Sequence, residues 1–332
     1  MYIIAEIAQA HEGSLGLAHS YIDAIANTGV NAIKFQTHIA EAESSTKEPF
    51  RINFSYEDKS RYDYWKRMEF SKDEWIGLKK HVESKGLEFL STPFSISAVE
   101  LLEEIGITKY KIGSGETNNL LLLERVCKTG KPIILSSGMS SFEELDKSID
   151  FIKKYGNDLS ILQCTTKYPV SAEEVGLNVI PELTTRYKVP VGISDHSGTI
   201  YPSLAALILG GQICEVHAVF HKEMFGPDTS SSLSISQLKQ MVIGIRFLEK
   251  ASSTKVDKTI NEQFSNQKKI FEKSLAVNKD LEAGHIIKFT DLESKKPSGL
   301  GISASDYQNV IGKTINKAMN KWDFLNEKDL NE

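Results

Sequence analysis

The sequence predicts a closed (β/α)8 barrel over about the first 250 of its 332 residues, followed by a small module of another kind. Short apolar segments alternate with amphipathic helical patterns, which is typical of a parallel sheet covered by helices. Eight such units in about 250 residues match the count and length of a closed barrel. The alternative, an open doubly wound sheet, predicts a Gly-rich phosphate loop after an early strand, and the sequence has none there.

Eight apolar runs with β-branched residues are the predicted strands. They are Tyr2–Ile7, Asn31–Gln36, Glu88–Ser91, Lys109–Ile112, Pro132–Ser136, Ser160–Cys164, Val189–Ser194 and Gln212–His217. Helical periodicity between them predicts helices that include Leu17–Asn27, Asp73–Lys85, Ala98–Glu104, Leu120–Lys128 and Ser141–Lys154. A glycine follows each of these helices, at positions 29, 86, 106, 130 and 156, where it can end the helix.

The tail has a different texture. We expect a barrel domain over residues 1–255, a polar, helical linker over 256–272 and a small, mostly non-helical domain over 273–332. About 60 residues can barely support a core of their own, so the tail is expected to dock on another surface.

Composition excludes several classes of protein. The net charge of −5 and the absence of a Lys/Arg run argue against nucleic-acid binding. Cys127, Cys164 and Cys214 are scattered inside apolar runs, as reduced thiols of a cytosolic protein would be. The N-terminus lacks the basic flank of a signal peptide, and no apolar run approaches the roughly 20 residues of a membrane span. A cytoplasmic location without membrane contact is expected.

Two strands end in polar side chains that can bind a metal. Ser194 and His196 are two residues apart and share a face of one strand, as do Glu215 and His217 on the next. Neighbouring strands lie about 4.8 Å apart, so His196 and His217 could reach one ion. A lone buried histidine is more often a core residue, but two at equivalent strand ends favour a ligand pair.

The other strand ends also carry polar groups, at the rim where barrels place their chemistry. They include Glu6, Lys34, Gln36, Thr92, Lys111, Ser114, Glu116, Ser136, Thr166, Tyr168, Ser194 and, beyond strand eight, Asp228. Burying two lysines is costly unless an anion or a carboxylate neutralises them, so an anionic and phosphorylated substrate is expected. Glycines near Ser114 and Ser137 would let backbone N–H groups approach its oxygens.

The motifs together resemble one family. Glu6-Ile-Ala-Gln-Ala-His-Glu-Gly13, Lys34-Phe-Gln-Thr-His38, Ser91-Thr-Pro-Phe94, Lys111-Ile-Gly-Ser-Gly-Glu116, Leu135-Ser-Ser-Gly-Met139 and Ser194-Asp-His196 occur in this order. Over nearly the whole chain the sequence resembles bacterial sialic acid synthases, a family that includes legionaminic and pseudaminic acid synthases. The resemblance implies a TIM barrel followed by an antifreeze-like (SAF, β-clip) domain. It also implies condensation of phosphoenolpyruvate with an N-acetylmannosamine-type sugar to a nine-carbon 2-keto acid and phosphate.

Residue roles follow from the same resemblance. It implies that His196 and His217 hold Mn²⁺ or Mg²⁺, and that Glu6, Glu116, Tyr168 and Asp228 face the sugar or the reacting water. The residues implied to contact substrates are Lys34, Gln36, Thr92, Lys111, Ser114, Ser136, Thr166, Ser194 and Lys296. It further implies a two-fold, domain-swapped homodimer, in which each tail covers the partner's barrel.

Two positions depart from the family pattern. The family often has Asn where Thr166 stands, and its sialic acid branch commonly has Arg where Lys296 precedes a proline. The acceptor is therefore N-acetylmannosamine or, alternatively, the 2,4-diacetamido-2,4,6-trideoxymannose of the legionaminic route or a pseudaminic-type sugar.

Two functions of other classes stay open. A Schiff-base barrel aldolase needs one desolvated lysine with a depressed pKa and no metal. A non-catalytic sugar-binding protein needs neither an ion nor phosphoenolpyruvate.

Overall fold

Eight parallel strands close into a barrel in the computed structural model, which describes residues 1–52, 54–259 and 262–331. Each strand begins within two residues of its predicted start, and β1 pairs with both β2 and β8, which closes the sheet. The predicted TIM barrel is thus confirmed. The chain divides into two compact units, Met1–Thr254 and Lys255–Glu332.

The barrel strands are β1 (Tyr2–Glu6), β2 (Ala32–Thr37), β3 (Glu88–Pro93), β4 (Tyr110–Ile112), β5 (Ile133–Ser136), β6 (Leu159–Cys164), β7 (Val191–Asp195) and β8 (Ile213–Val219), with the two-residue β9 (Leu233–Ser234) beside β8. The helices are α1 (Leu15–Ala26), α2 (Ala40–Glu43), α3 (Arg61–Met68), α4 (Lys72–Ser84), α5 (Ile96–Glu104), α6 (Leu120–Cys127), α7 (Phe142–Tyr155), α8 (Val179–Tyr187), α9 (Tyr201–Ile208) and α10 (Ile235–Ser253).

Helix ends follow local rules that the sequence predicts. Ser71 and Ser141 accept hydrogen bonds from the backbone of Glu74 and Glu144, whose side chains bond back, so α4 and α7 begin with capping boxes. Gly156 ends α7 at a φ of +76°, in the left-handed region that favours glycine.

The barrel interior is built in layers. Its lowest layer is apolar and is made by one residue from each of six strands: Ile4, Ala32, Leu90, Ile134, Leu162 and Ile213. Because alternate residues of a strand share a face, the layer above begins two residues later on each strand. Those residues are Glu6, Lys34, Thr92, Ser136, Cys164 and Glu215. The polar layer at the mouth is thereby fixed by the apolar layer beneath it.

The main apolar core lies outside the barrel wall, between the strands and the helices. Trp75 of α4 and Tyr21 of α1 are fully buried there; burying such a side chain contributes about 1.5–3 kcal/mol. Strand packing is close enough that Gly192 of β7 cannot carry a side chain, since a Cβ atom there would lie 1.9 Å from the Ile213 carbonyl oxygen.

The second unit contains α11 (Ser265–Phe271) and two small antiparallel pairs, β10 (Ser274–Val277) with β11 (Leu292–Lys295) and β12 (Thr314–Ile315) with β13 (Leu330–Asn331). Its core has eight buried apolar residues, including Val277, Leu281 and Ile315. Part of the predicted linker, residues 260 and 261, lies outside the described residues. The identification of the tail as an SAF domain stays a prediction.

The second unit repeats one device. Asn278 donates to the Thr290 carbonyl, and Asn316 donates to the Lys328 carbonyl in the corresponding position. In the same two places a buried aspartate, Asp291 or Asp329, accepts a hydrogen bond from the backbone three residues earlier. A lysine completes each site, Lys279 for Asp291 and Lys317 for Asp329, both at 2.6 Å.

None of the helices in the described ranges has both the length and the apolar character that a membrane crossing requires.

Candidate active site

A cavity of about 410 Å³ opens at the carboxyl ends of the barrel strands. Fourteen predicted site residues line it: Glu6, Lys34, Gln36, Thr92, Lys111, Ser114, Glu116, Ser136, Thr166, Tyr168, Ser194, His196, His217 and Asp228. The cavity is large enough for a small ligand or a pair of them. The structure therefore brings together all the predicted site residues of the barrel unit.

Two lysines and two glutamates form the floor of this cavity, all of them buried. Lys34 Nζ lies 2.6 Å from Glu6 Oε1 and 3.6 Å from Glu215 Oε1. Lys111 Nζ lies 3.5 Å from the same Glu215 oxygen and donates to Ser136 Oγ at 2.7 Å. The floor is a compact group of two cations and two carboxylates.

Two carboxylates, Glu6 and Glu215, lie against the lysines of the floor. We expected an external anion or a carboxylate to neutralise the lysines, and Glu6 and Glu215 already do so. Burial lowers the pKa of Lys34, but the two carboxylates outweigh it and raise that pKa above its ordinary value. For Lys111 burial prevails and lowers the pKa. The two lysines therefore differ, and an anionic ligand needs support from the other groups of the cavity.

The cavity lining has more carboxylates than cations. The cations are Lys34, Arg51, Arg61 and Lys111, and the carboxylates are Glu6, Glu43, Glu48, Glu116, Glu215 and Asp228. A cleft with this excess of negative charge attracts cations. This setting favours a bound divalent cation, which would in turn attract an anionic ligand.

Hydroxyl groups complete the floor. Thr92 accepts a hydrogen bond from Lys34 at 3.3 Å, and Ser194 donates to Glu215 at 3.0 Å. Ser114 fits closely against Gly138, where an added Cβ atom would lie 2.1 Å from the serine Cβ. We expected this glycine to bring backbone N–H groups to the ligand, and the structure shows that it also admits the Ser114 side chain.

His196 and His217 lie side by side, with ring centroids 5.3 Å apart. His196 Nδ1 lies 3.1 Å from the Thr165 carbonyl oxygen and donates a hydrogen bond to it, which leaves Nε2 available to a ligand. Burial lowers the pKa of His217, which favours the neutral imidazole that binds metals. Burial also lowers the pKa of His196, but Cys164 and the Thr165 carbonyl raise it to about 9, so a metal would displace a proton there.

The donor set fits an open catalytic metal site. His217 Nε2 lies 3.1 Å from Glu6 Oε2, which gives a carboxylate oxygen next to the histidine pair. Among residues 1–52, 54–259 and 262–331, no three His, Cys, Asp or Glu side chains form a group that could enclose an ion. Two imidazoles suit Mn²⁺ or Mg²⁺ only if water or substrate supplies the other ligands, as catalytic sites require.

The upper part of the cavity holds Glu116, Tyr168 and Asp228. Burial raises the pKa of Glu116, whose Oε2 accepts a hydrogen bond from Asn119. The Tyr168 ring lies 4.1 Å from the His196 ring. Burial raises the pKa of Tyr168, so its hydroxyl stays protonated. Arg51 donates to Asp228, and its guanidinium lies 4.2 Å from the Tyr168 ring centroid.

Several cavity residues were not predicted as site residues. Glu215 was noted only as sharing a strand face with His217, and that alternation could have placed it in the cavity. Arg51, His38 and Glu43 belong to the long segment after β2, which has no periodicity that predicts their direction. From the sequence, the aromatics of this segment are expected either to reach the sugar or to pack at the surface; they are Phe50, Tyr56, Tyr62, Tyr64 and Trp65. Phe50, Tyr64 and Trp65 line the cavity, whereas Tyr56 is 94% exposed.

Lys296 lies in the second unit, where its ammonium group is 5.2 Å from the ring centroid of Phe271. Its predicted contact with the sugar stays a prediction.

Comparison with known proteins decides the family. A family model described as the NeuB family matches residues 21–257. The chain belongs to the NeuB family. It is 35% identical to the N,N'-diacetyllegionaminic acid synthase of Campylobacter jejuni subsp. jejuni serotype O:2, over 98% of each chain. It is also 31% identical to the pseudaminic acid synthase of Campylobacter jejuni serotype O:23/36, over 99% of this chain and 96% of the other.

A solved structure agrees with this assignment to the NeuB family. The N-acetylneuraminic acid (sialic acid) synthetase of Leptospira borgpetersenii serovar Hardjo-bovis, in complex with citrate, is 31% identical and aligns with a TM-score of 0.70. The alignment covers 80% of this chain and 90% of the other. The sequence resemblance to sialic acid synthases is thus confirmed at the level of the family.

Proposed function

We propose that this NeuB family chain is a nonulosonic acid synthase. It would condense phosphoenolpyruvate with an N-acetylated mannose-type sugar, releasing phosphate and a nine-carbon 2-keto acid. The observation that carries the proposal is the arrangement of the cavity, where lysines and hydroxyls form the floor beside a histidine pair. The relatives named as legionaminic, pseudaminic and sialic acid synthases support the substrate class.

Phosphoenolpyruvate would bind at the floor. Its phosphate and carboxylate would accept hydrogen bonds from Lys34, Lys111 and the hydroxyls of Thr92, Ser114, Ser136 and Ser194. Charge-assisted hydrogen bonds to such anions are worth about 1.5–3 kcal/mol each. Glu215, which contacts both lysines, would hold their ammonium groups in place while it offsets part of their charge.

His196 and His217 would hold Mn²⁺ or Mg²⁺, with water or substrate supplying the remaining ligands. When bound, such an ion acts as a Lewis acid on a carbonyl oxygen and adds positive charge where an anion binds. The protein's own residues then orient the reactants. Tyr168, held against His196, closes one side of the site, and its protonated hydroxyl can donate to a sugar oxygen.

In the proposed reaction C3 of phosphoenolpyruvate forms a bond to the sugar aldehyde carbon, whose oxygen takes up a proton. Positive charge develops at C2, and water adds there and loses one proton to a carboxylate. The C2 hydroxyl gives its remaining proton to the departing phosphate as the C2–O bond to phosphate breaks. Burial raises the pKa of Glu116 towards the range of a general acid or base. Lys34 and His217 outweigh burial and keep Glu6 ionised, since they lower its pKa. Glu116 is therefore the better proton carrier, and Glu6 the better fixed charge.

The identity of the acceptor sugar is proposed on the basis of Lys296. Lysine offers a point charge where the sialic acid branch commonly has the planar fork of arginine, so it would hold an acetamido oxygen less rigidly. We therefore expect N-acetylmannosamine to be a slow substrate or to be outcompeted by 2,4-diacetamido-2,4,6-trideoxymannose. The proposal includes a two-fold dimer in which Lys296 reaches the partner's barrel. Deleting residues after Phe271 should then leave a folded but inactive barrel.

A panel of mannose-configured sugars tests the function. Each sugar is incubated with phosphoenolpyruvate and Mn²⁺, phosphate release is measured, and the product mass is read by mass spectrometry. The proposal expects phosphate and a nine-carbon keto acid in equal amounts with at least one sugar. Phosphate release that does not depend on any sugar would count against it.

One observation favours a second candidate, a Schiff-base aldolase. The lowered pKa of Lys111 raises the share of neutral amine, the form that attacks carbonyls. Borohydride reduction in the presence of substrate would then attach the substrate covalently to Lys111. The synthase proposal expects no such adduct and a loss of turnover in chelator.

A further inference from the structure

Glu43 has one oxygen without a partner inside the cavity. It is the last residue of α2, and its side chain is only 7% exposed. One oxygen, Oε1, lies 2.7 Å from His38 Nδ1. The other, Oε2, is buried and has no hydrogen-bond partner, and the residue lines the cavity. A buried carboxylate oxygen left unpaired costs free energy, so its place in a ligand cavity points to a ligand donor.

His38 fixes the direction of that carboxylate. Its ring is stacked between Trp65, at 4.0 Å between ring centroids, and Phe94, at 4.4 Å. On its far side Nε2 lies 3.0 Å from Gln9 Nε2, an amide N–H donor. Nε2 also lies 3.1 Å from Gln36 Oε1, so both glutamine amides hold this edge of the ring. Because an ionised carboxylate only accepts, Nδ1 donates to Glu43.

A second carboxylate shows what Glu43 faces. Glu43 and Glu116 both line the cavity. Burial is the main reason that the pKa of Glu116 is raised, and repulsion from Glu43 adds to it, so the two carboxylates lie close enough to interact. In Glu48, another acidic residue of the lining, both oxygens have partners: Oε2 accepts from Trp65 Nε1 at 3.1 Å, and Oε1 lies 3.0 Å from Arg61 Nε. Among the cavity carboxylates of the segment after β2, Glu43 is thus the one with an oxygen to offer.

We propose that Glu43 is a specificity-determining residue that accepts a hydrogen bond from a hydroxyl or acetamido N–H group of the acceptor sugar. The inference rests on the proposed function and adds to it a contact on the sugar side. Phosphoenolpyruvate is acceptor-rich and offers no neutral donor of this kind, so Glu43 should discriminate among sugars and leave phosphoenolpyruvate binding unchanged.

The test combines Glu43 variants with sugar analogues. Glu43→Gln keeps the shape but presents an N–H group where the sugar donor arrives, and Glu43→Asp keeps the charge but shortens its reach. Glu41→Gln is the matched control, on the same helix with a side chain 75% exposed. For each variant, kcat/KM is measured with the preferred sugar and with analogues that lack one donor at a time.

We expect Glu43→Gln to lower kcat/KM for the sugar by about 10- to 100-fold, with an unchanged KM for phosphoenolpyruvate. With the one analogue that lacks the donor, Glu43→Gln and the unsubstituted chain should have about the same kcat/KM. Glu43→Asp should show the same pattern with a smaller loss, and it carries the test if Glu43→Gln does not fold.

Two results would overturn the inference. An equal loss with every analogue would mean that Glu43 only supports the fold around His38, and normal turnover in both variants would mean that its free oxygen meets no substrate. Absence of turnover by the unsubstituted chain with every sugar would instead overturn the proposed function and this inference with it.

Discussion

Buried charges occur in both units of the molecule, but in opposite settings. In the barrel, Lys34 and Lys111 meet Glu6 and Glu215 inside an open cavity, and Glu215 keeps one oxygen without a hydrogen-bond partner. In the second unit, Asp291 and Asp329 accept backbone hydrogen bonds and meet lysines that reach in from the surface.

The difference separates charge that serves a ligand from charge that serves the fold. The tail aspartates fix the turn of each hairpin-like half, and neither of them lines the barrel cavity. The barrel charges hold each other in place yet remain accessible to a small molecule. Substitutions in the two units test this division.

Replacing either cavity histidine should have the largest effect. His196→Ala or His217→Ala removes one of two proposed metal ligands, so turnover should fall below about 1% while the melting temperature stays close to that of the unsubstituted chain. Dialysis against chelator should do the same, and Mn²⁺ should restore activity. His221→Ala, at an exposed position near β8, is the control. Full activity in chelator would refute the metal proposal.

Replacing the lysines separates binding from stability. Lys34→Met or Lys111→Met should raise the KM for phosphoenolpyruvate at least about tenfold, and much more than the KM for the sugar. Lys34→Met also leaves Glu6 without its cation, which should cost about 3–5 kcal/mol in the free energy of unfolding.

The pair Lys34→Met with Glu6→Gln dissects these effects. It should recover stability, because no uncompensated charge remains, but it should not recover phosphoenolpyruvate affinity. Denaturant unfolding and steady-state kinetics measure the two quantities. An unchanged KM for phosphoenolpyruvate in both lysine variants would contradict the assignment of the floor.

Replacing the tail aspartates should affect only the fold. Asp291→Ala or Asp329→Ala leaves a partly buried backbone N–H group without its charged acceptor, which should destabilise the second unit by about 1–3 kcal/mol. Hydrogen exchange of β10–β13 should show the loss, with Asp306→Ala at an exposed position as control. Intact variants at low temperature should bind phosphoenolpyruvate normally. A large change in that binding would place these aspartates in the functional class.

Acid should weaken the tail sites gradually. Burial raises the pKa of Asp291, but Lys279, His285 and the Lys288 N–H group outweigh it and lower the pKa; the pKa of Asp329 is also lowered. A lowered pKa means that the stabilisation is complete above about pH 4 and is lost as the pH falls further. Between pH 5 and 3, the protection of second-unit amides relative to their intrinsic exchange rate should therefore fall less in Asp291→Asn/Asp329→Asn than in the unsubstituted chain. An equal fall in protection would contradict the role given to these aspartates.

Much of the fold and of the cavity could be predicted from sequence because barrel strands impose strict alternation. Once Ile4 and Ala32 face inward, Glu6 and Lys34 must face inward above them. The partners of those residues could not be predicted, since pairing of Lys34 with Glu215 depends on closure of β1 against β8. Glu43 and Arg51 escaped prediction because their direction is set by contacts with distant residues rather than by a local period.

The proposed sugar contact of Lys296 would also depend on more than the local sequence, because the proposal places it between two chains. The cytoplasmic location, the dimer and the metal remain predictions.

The central claim is that the cavity breaks the C2–O bond of phosphoenolpyruvate after forming a C–C bond. The most direct measurement uses phosphoenolpyruvate labelled with ¹⁸O at the oxygen that bridges C2 and phosphorus, together with the preferred sugar and Mn²⁺. Mass spectrometry of the released phosphate follows the label. Each phosphate released should carry one ¹⁸O atom and be matched by one nine-carbon keto acid. Unlabelled phosphate would show P–O cleavage and contradict the central claim.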